Sequence, residues 1–177
     1  MNKILYISLL VFLFSFYSVF LLGQTVNGQV VDSNIVITDT AINLLPQKPI
    51  IDSIIGYAFS YMGRNYRRGG TGATGFDCSG YTMMVFKNFG IKLPHTSAGQ
   101  ALVGTEIKIK NVRPGDLVFF RGRNRNSKRI GHVGIVISKP GEPVAFIHSS
   151  VTGGVRIDKV EFPYYKTRYI KAVRILK

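Results

Sequence analysis

Gly75-Phe76-Asp77-Cys78-Ser79-Gly80 holds the only cysteine of a 177-residue chain, set between a glycine-rich run and an apolar stripe. Tyr81, Met84, Val85, Phe86 and Phe89 form that stripe at helical spacing, and Gly90 closes it as a C-cap. Asp77 has the side chain of an N-cap, which puts Cys78 in the first helical turn. There the free N–H groups and the helix dipole stabilise a thiolate. Upstream, residues 65–75 hold four glycines, which predicts a loop whose backbone approaches something closely. The nucleotide-cradling loop ends in Gly-Lys-Ser/Thr, and that ending is absent here. A lone cysteine is often only a small buried hydrophobe. The polar neighbours Asp77 and Ser79 and the glycine approach favour a nucleophile instead.

Further outward, residues 1–23 carry one cation, Lys3, followed by an apolar and hydroxyl run from Ile4 to Leu22. This reads as an export signal cleaved after Leu21-Leu22-Gly23. The alternative is an uncleaved anchor, since the run is long enough to span a bilayer core of ~30 Å. No cysteine stands near the junction to carry a lipid. Either way the rest is exported, to the periplasm or to the extracellular side and cell envelope, where unpaired thiols are rare unless they react. Residues 24–49 are polar and weakly patterned and read as a linker or arm, leaving 50–177 as one domain. Twenty-three Lys and Arg against 9 Asp and Glu give +14, and the leader removes only one cation to leave +13. Such a surface implies an anionic partner.

Ile51, Ile54, Ile55, Ala58 and Tyr61 predict a first amphipathic helix ended by Gly63. After the cysteine helix, residues 92–100 form a turn into a short segment. Arg113-Pro114-Gly115-Asp116 is a strong turn before the strand Leu117–Phe120. Arg121 to Arg129 packs five cations without an acid and reads as a solvated loop. Strands 131–138 and 144–148 then flank Lys139-Pro140-Gly141 as a hairpin. Centred on Pro140, its partners add to 280, which sets His132 directly opposite His148 on one face. Strand signals return at 155–157 and 169–176. The fold class is α+β, a small antiparallel sheet packed by helices with Cys78 at a helix N-terminus.

One thiol and two paired imidazoles make a thiol-nucleophile arrangement, with His132 as base and His148 orienting it. Exchanged histidine roles satisfy the same spacing. Cys, His and His also form a zinc set, but no close-spaced ligand pair accompanies them. We therefore expect no metal and no cofactor.

Six ordered blocks extend this reading: Tyr66-x-x-Gly69-Gly70, Phe76–Gly80, Leu93-Pro94-x-Thr96-Ser97-x-x-Gln100, Pro114–Phe120, Gly131–Ile135 and Ile147–Ser150. Together they resemble the NlpC/P60 family of cell-wall cysteine peptidases over residues 50–177. The resemblance implies a papain-like fold and hydrolysis of peptidoglycan stem peptides, beside a γ-linked D-glutamyl residue. It also implies a Cys–His–His triad on Cys78, His132 and His148. Tyr66 would sit near the oxyanion, and Asp77 and Ser79 would receive the free amine of the stem peptide. His95 stands where the family commonly has Arg, and reads as a substrate contact or a surface residue ahead of an alternative base. The family's wall-binding repeats are missing, so the basic run 121–129 is expected to hold an anionic envelope polymer. Rival readings are an amidase or acyltransferase on the same scaffold and a non-catalytic wall-binding module. Nucleic-acid binding is disfavoured because no recognition motif accompanies the charge. We expect a monomer.

Overall fold

The computed structural model describes residues 50–124 and 126–176, so the expected export signal at 1–23 and linker at 24–49 lie outside the described residues. Helix α1 (Ile50–Phe59) is followed by a two-strand hairpin of β1 (Thr71–Gly72) and β2 (Gly75–Phe76), then α2 (Cys78–Lys87). A short α3 (Ser97–Gln100) leads into β3 (Thr105–Ile107), β4 (Leu117–Arg121), β5 (Ile130–Val136), β6 (Ala145–Ser150) and β7 (Gly154–Lys159). The chain ends with α4 (Pro163–Lys166) and β8 (Tyr169–Arg174). Six strands form one antiparallel sheet in the order β3-β8-β4-β5-β6-β7.

Strand alternation puts different side chains on the two faces of this sheet. Leu117, Phe119, Val133, Ile135, Ile147 and Val173 pack with Ile54 and Ala58 of α1 and Tyr81, Val85 and Phe86 of α2. Val118, Phe120, Val136, Phe146 and Ala172 pack on the other side with Tyr165 of α4. Burying side chains of this size contributes roughly 1.5–3 kcal/mol each, so both helices and sheet are held by the same apolar layer. Polar ties add direction. The Tyr81 hydroxyl donates to the Ala58 carbonyl at 2.8 Å, fixing α2 to α1. Buried Gln100 accepts from Thr82 and donates to the carbonyls of Ser79 and Pro94, fixing α3 to α2. The turn at Arg113–Asp116 is anchored by a bidentate pair from Arg174 to Asp116, both contacts at 2.9 Å.

The β5–β6 hairpin departs from the expected register. Ile135 faces Ile147 and Val136 faces Phe146, so partner numbers add to 282 instead of 280. The reason is the turn. Lys139–Glu142 closes with Pro140 and the positive-φ Gly141 (φ 89°) at its centre, a type II pattern that leaves Pro143 and Val144 to lead into β6. The centre therefore falls one residue later than Pro140. Because the shift in partner is two, an even number, every side chain keeps its face. His148 now lies beside Gly134 and diagonal to His132.

Gly134 is what admits that diagonal. A Cβ built there would overlap the Phe146 ring at Cδ2 and sit 3.2 Å from His148 Cβ. Gly134→Ala should destabilise the fold by ~1–3 kcal/mol through overpacking and displace the imidazole of His148. Thermal or denaturant unfolding checks it: an unchanged midpoint would show that this contact relaxes freely.

Candidate active site

Cys78 opens α2, and Asp77 is its N-cap in extended conformation. Asp77 Oδ1 accepts from the Gly80 N–H at 2.6 Å and from Ser79 Oγ at 3.2 Å, while Oδ2 accepts from the Gly69 N–H at 2.9 Å. The capping carboxylate thus joins the glycine loop to the helix start. The loop approaches as closely as its composition predicts: a Cβ at Gly80 would overlap the Gly70 carbonyl. The Cys78 and Ser79 N–H groups precede the first intrahelical bond, from Tyr81 to the Asp77 carbonyl.

Cys78 shares a cavity of about 820 Å³ with His132 and Tyr66. His132 rises from β5 and His148 from β6, and their rings meet edge to face with Nε2 of His132 2.8 Å from Nδ1 of His148. His148 is fully buried, and its Nε2 lies 2.9 Å from Asp158 Oδ2. Asp158 comes from β7, where His148 pairs with Arg156 and Phe146 with Asp158, so the carboxylate sits diagonally on the same face. The Tyr165 hydroxyl donates to Asp158 Oδ2 at 3.0 Å and Arg156 donates to Oδ1 at 2.7 Å. Sequence reasoning missed Asp158, Arg156 and Tyr165. A signal was present: the Gly153-Gly154 turn sets the β6–β7 register, and that register brings residue 158 next to His148.

The ionised carboxylate fixes the protons of this chain. Burial alone would raise the Asp158 pKa, but hydrogen bonds from His148, Tyr165 and Arg156 outweigh it and hold it at about 2. A carboxylate only accepts, so His148 carries its proton on Nε2 and presents a bare Nδ1. His132 must then donate from Nε2 and keep Nδ1 unprotonated. That nitrogen is the one free to take a proton from a thiol.

The resting thiol differs from expectation. Burial, with the Asp77 charge behind it, pushes Cys78 up to about 11, against backbone hydrogen bonds from Val133, Ser79 and its own N–H. Burial, and then the neighbouring His148, brings His132 down to about 3. The helix N-terminus alone suggested a thiolate; desolvation by chain segments distant in sequence reverses that, and the pair rests neutral. His148 is lowered as well, by burial opposed in part by its Asp158 hydrogen bond.

These shifts make stability fall on the acid side. The unfolded chain binds protons on both histidines below pH ~6.5, whereas folded His132 resists until about 3. The stabilisation is complete above pH ~6.5 and is lost as pH falls towards 3, with Asp158 adding a further loss from about 4 to 2. Because His132 opens on the cavity, solvent screens part of this, and we expect a loss of order 1–3 kcal/mol between pH 7 and 4. Urea midpoints at the two pH values measure it; equal midpoints would contradict the buried neutral pair.

Tyr66 is carried beside Phe76 by an isolated bridge, and its hydroxyl is pushed up by burial, then by Cys78 and Asp77. Asp77, Ser79 and His95 do not line the cavity. They cluster with one another at the helix start. Ser79 is buried and shares its hydroxyl proton between Asp77 Oδ1 and the His95 carbonyl at 3.1 Å. The His95 ring is 41% exposed, with Nε2 3.7 Å from Asp77 Oδ2. Arg121 and Arg123, expected in a solvated loop, line the cavity instead. Among the described residues no cluster of three metal-ligating side chains occurs.

The NlpC/P60 family profile matches residues 63–174. A protein of Escherichia coli strain K12 named murein DD-endopeptidase MepS/murein LD-carboxypeptidase is 35% identical over 135 residues, covering 76% of this chain and 68% of its own. The probable endopeptidase p60 of Listeria monocytogenes is 40% identical over 107 residues, covering 60% of this chain and 20% of that protein. The crystal structure of an NlpC/P60 family protein from Bacillus cereus superposes with a TM-score of 0.66 at 30% identity, covering 74% of this chain and 42% of that one. The chain therefore spans less than half of that solved protein. The NlpC/p60 domain of the peptidoglycan hydrolase SagA gives a TM-score of 0.58 at 27% identity, with 97% of that domain and 70% of this chain covered. These solved domains carry the papain-like arrangement of sheet and helices.

Proposed function

The chain belongs to the NlpC/P60 family of peptidoglycan endopeptidases and hydrolases, and from that premise we propose that it is a cysteine peptidase acting on peptidoglycan stem peptides. The observation that carries the proposal is the continuous line from Asp158 through His148 to His132, which opens on the cavity holding Cys78. His132 Nδ1 takes the thiol proton as the sulfur attacks the scissile carbonyl. The N–H groups of Cys78 and Ser79, with Tyr66, face the developing oxyanion. The tetrahedral species collapses to a thioester as the imidazolium protonates the departing amine. Water, deprotonated by the same imidazole, then releases the acid and restores the thiol.

Asp77, Ser79 and His95 form the flank that receives the free amine of the stem peptide, so the bond cut is the one between γ-linked D-glutamate and the diamino acid. A second reading concerns only the bond: the Escherichia coli relative is named for DD-endopeptidase and LD-carboxypeptidase activity. The protein works in the cell envelope, as a monomer exported by its leader, with the basic surface held on anionic polymer. Among the described residues no helix is long and apolar enough to cross a membrane. Incubating the full chain with purified muropeptides and weighing the products by mass spectrometry names the bond. New γ-D-glutamyl carboxyl ends are the expected result; muropeptides left intact after long incubation would sink the proposal.

A further inference from the structure

An ionised carboxylate offers about four acceptor positions. At Asp77 three of them are taken within the chain: Oδ1 accepts from the Gly80 N–H and from Ser79 Oγ, and Oδ2 from the Gly69 N–H. The remaining position is on Oδ2, and His95 Nε2 stands 3.7 Å from that oxygen. The backbone of His95 is pinned on both sides. Its carbonyl accepts from Ser79 Oγ, the Pro94 carbonyl before it accepts from buried Gln100, and Thr96 after it is the N-cap of α3. Gly80 lets the ring come in, since a Cβ there would lie 3.1 Å from Nε2. Among the described residues no lysine or arginine pairs with Asp77. The Asp77 side chain is 16% exposed and the imidazole 41%, so a cation from solvent reaches the oxygen beside the ring.

A substrate ammonium received by Asp77 has only this last position to use, and it meets His95 there. A neutral imidazole presents a lone pair and helps to hold the ammonium. An imidazolium has only donors, pairs with Oδ2 itself and repels the incoming charge. We infer that His95 is a specificity-determining residue, admitting the free amine to Asp77 when neutral and excluding it when protonated. Histidine changes charge between pH ~5 and 8, so substrate affinity weakens as the medium acidifies through that range. Cys78 and Tyr66 also feel the Asp77 charge, but burial first and then neighbouring negative charge raise both, and they hold their protons. The chain's other two histidines, His132 and His148, are lowered chiefly by burial, which leaves His95 as the exposed imidazole. This rests on the peptidase reading above, with its amine subsite, and adds a dependence on pH to it.

Binding of the acyl fragment tests the inference without any cleavage. The probe is the dipeptide L-alanyl-γ-D-glutamate, titrated calorimetrically into the wild-type chain at about pH 7 and about pH 5.5, a span over which histidine changes charge. Affinity should be ~3–10-fold weaker at the lower pH, and binding at about pH 6 should release protons, read from the heats in buffers of different ionisation enthalpy. His95→Gln, at an exposed position, should fold normally and show neither the pH effect nor the proton release. The N-acetylated dipeptide, which carries no cation, should bind more weakly than the free amine at about pH 7. Wild-type affinity that is equal or tighter at the lower pH, no binding at either pH, an acetylated dipeptide bound as tightly, or a pH effect that persists in His95→Gln would each overturn the inference. Muropeptide cleavage measured in parallel separates the two claims. A chain that cuts but binds the dipeptide without proton release keeps its peptidase activity and loses this role of His95. One that binds with proton release but cuts nothing keeps the role of His95 at the amine site and loses the peptidase reading.

Discussion

Asp158→Asn should lower kcat/KM by ~10²–10⁴-fold while leaving the protein folded. Asparagine fills the same space but offers an N–H in place of an acceptor. Its amide nitrogen can donate to His148 Nε2, which moves the His148 proton to Nδ1. That nitrogen faces His132 Nε2 at 2.8 Å, so His132 must become the acceptor there and carry its own proton on Nδ1. The nitrogen needed to receive the thiol proton is then occupied. A purely structural role for Asp158 would give a different pattern: lower stability and less active protein, with the surviving fraction unchanged in its pH profile. The tautomer account instead predicts a normal melting transition, a fall mainly in kcat, and an altered pH dependence of kcat/KM. Asp158→Glu, which restores an acceptor, should recover part of the rate. Full activity in Asp158→Asn would show that the proton order along the line does not depend on the carboxylate.

Much of this site is legible in the sequence because its parts are local. The cap, the cysteine and the stripe that follows are contiguous in sequence, and the structure puts Asp77 at the N-cap and starts α2 at Cys78. The hairpin pattern also puts the two histidines on a common face, and that face is kept although the register differs from one centred on Pro140. A type II turn moved the hairpin centre by one residue, and the resulting two-residue change of partner preserved the face while changing the neighbour. A different turn moving it by half as much would have separated the rings entirely.

What escaped the sequence is what the tertiary fold decides. In β7 the isoleucine at 157 is 37% exposed and the aspartate at 158 is 5% exposed, the reverse of the ordinary preference. Hydropathy reads that strand the wrong way round. Only the neighbouring His148, Tyr165 and Arg156, ten residues back, seven ahead and two back in the chain, make a buried carboxylate tolerable there. The charge on the thiol was misjudged for a related reason. A helix N-terminus is visible in sequence, while the desolvation that opposes it comes from segments far along the chain. The basic run from Arg121 shows the same limit: composition marked it as solvated, and the sheet turns two of its arginines towards the cavity.

A neutral resting pair also sharpens what Cys78 must do. The thiol becomes a strong nucleophile only as His132 removes its proton, so both groups act in one step and neither is useful alone. Cys78→Ala removes the atom that forms the bond to the acyl group, and no other described residue lining the cavity has a comparable nucleophile next to an imidazole base. The most direct measurement is the initial rate of muropeptide hydrolysis by wild type and by Cys78→Ala at equal concentration of folded protein. We predict a fall of about 10⁴-fold or more, leaving only the residual rate that binding and oxyanion stabilisation supply. A Cys78→Ala protein that cleaves the same bond within tenfold of wild type would contradict thiol catalysis at this site.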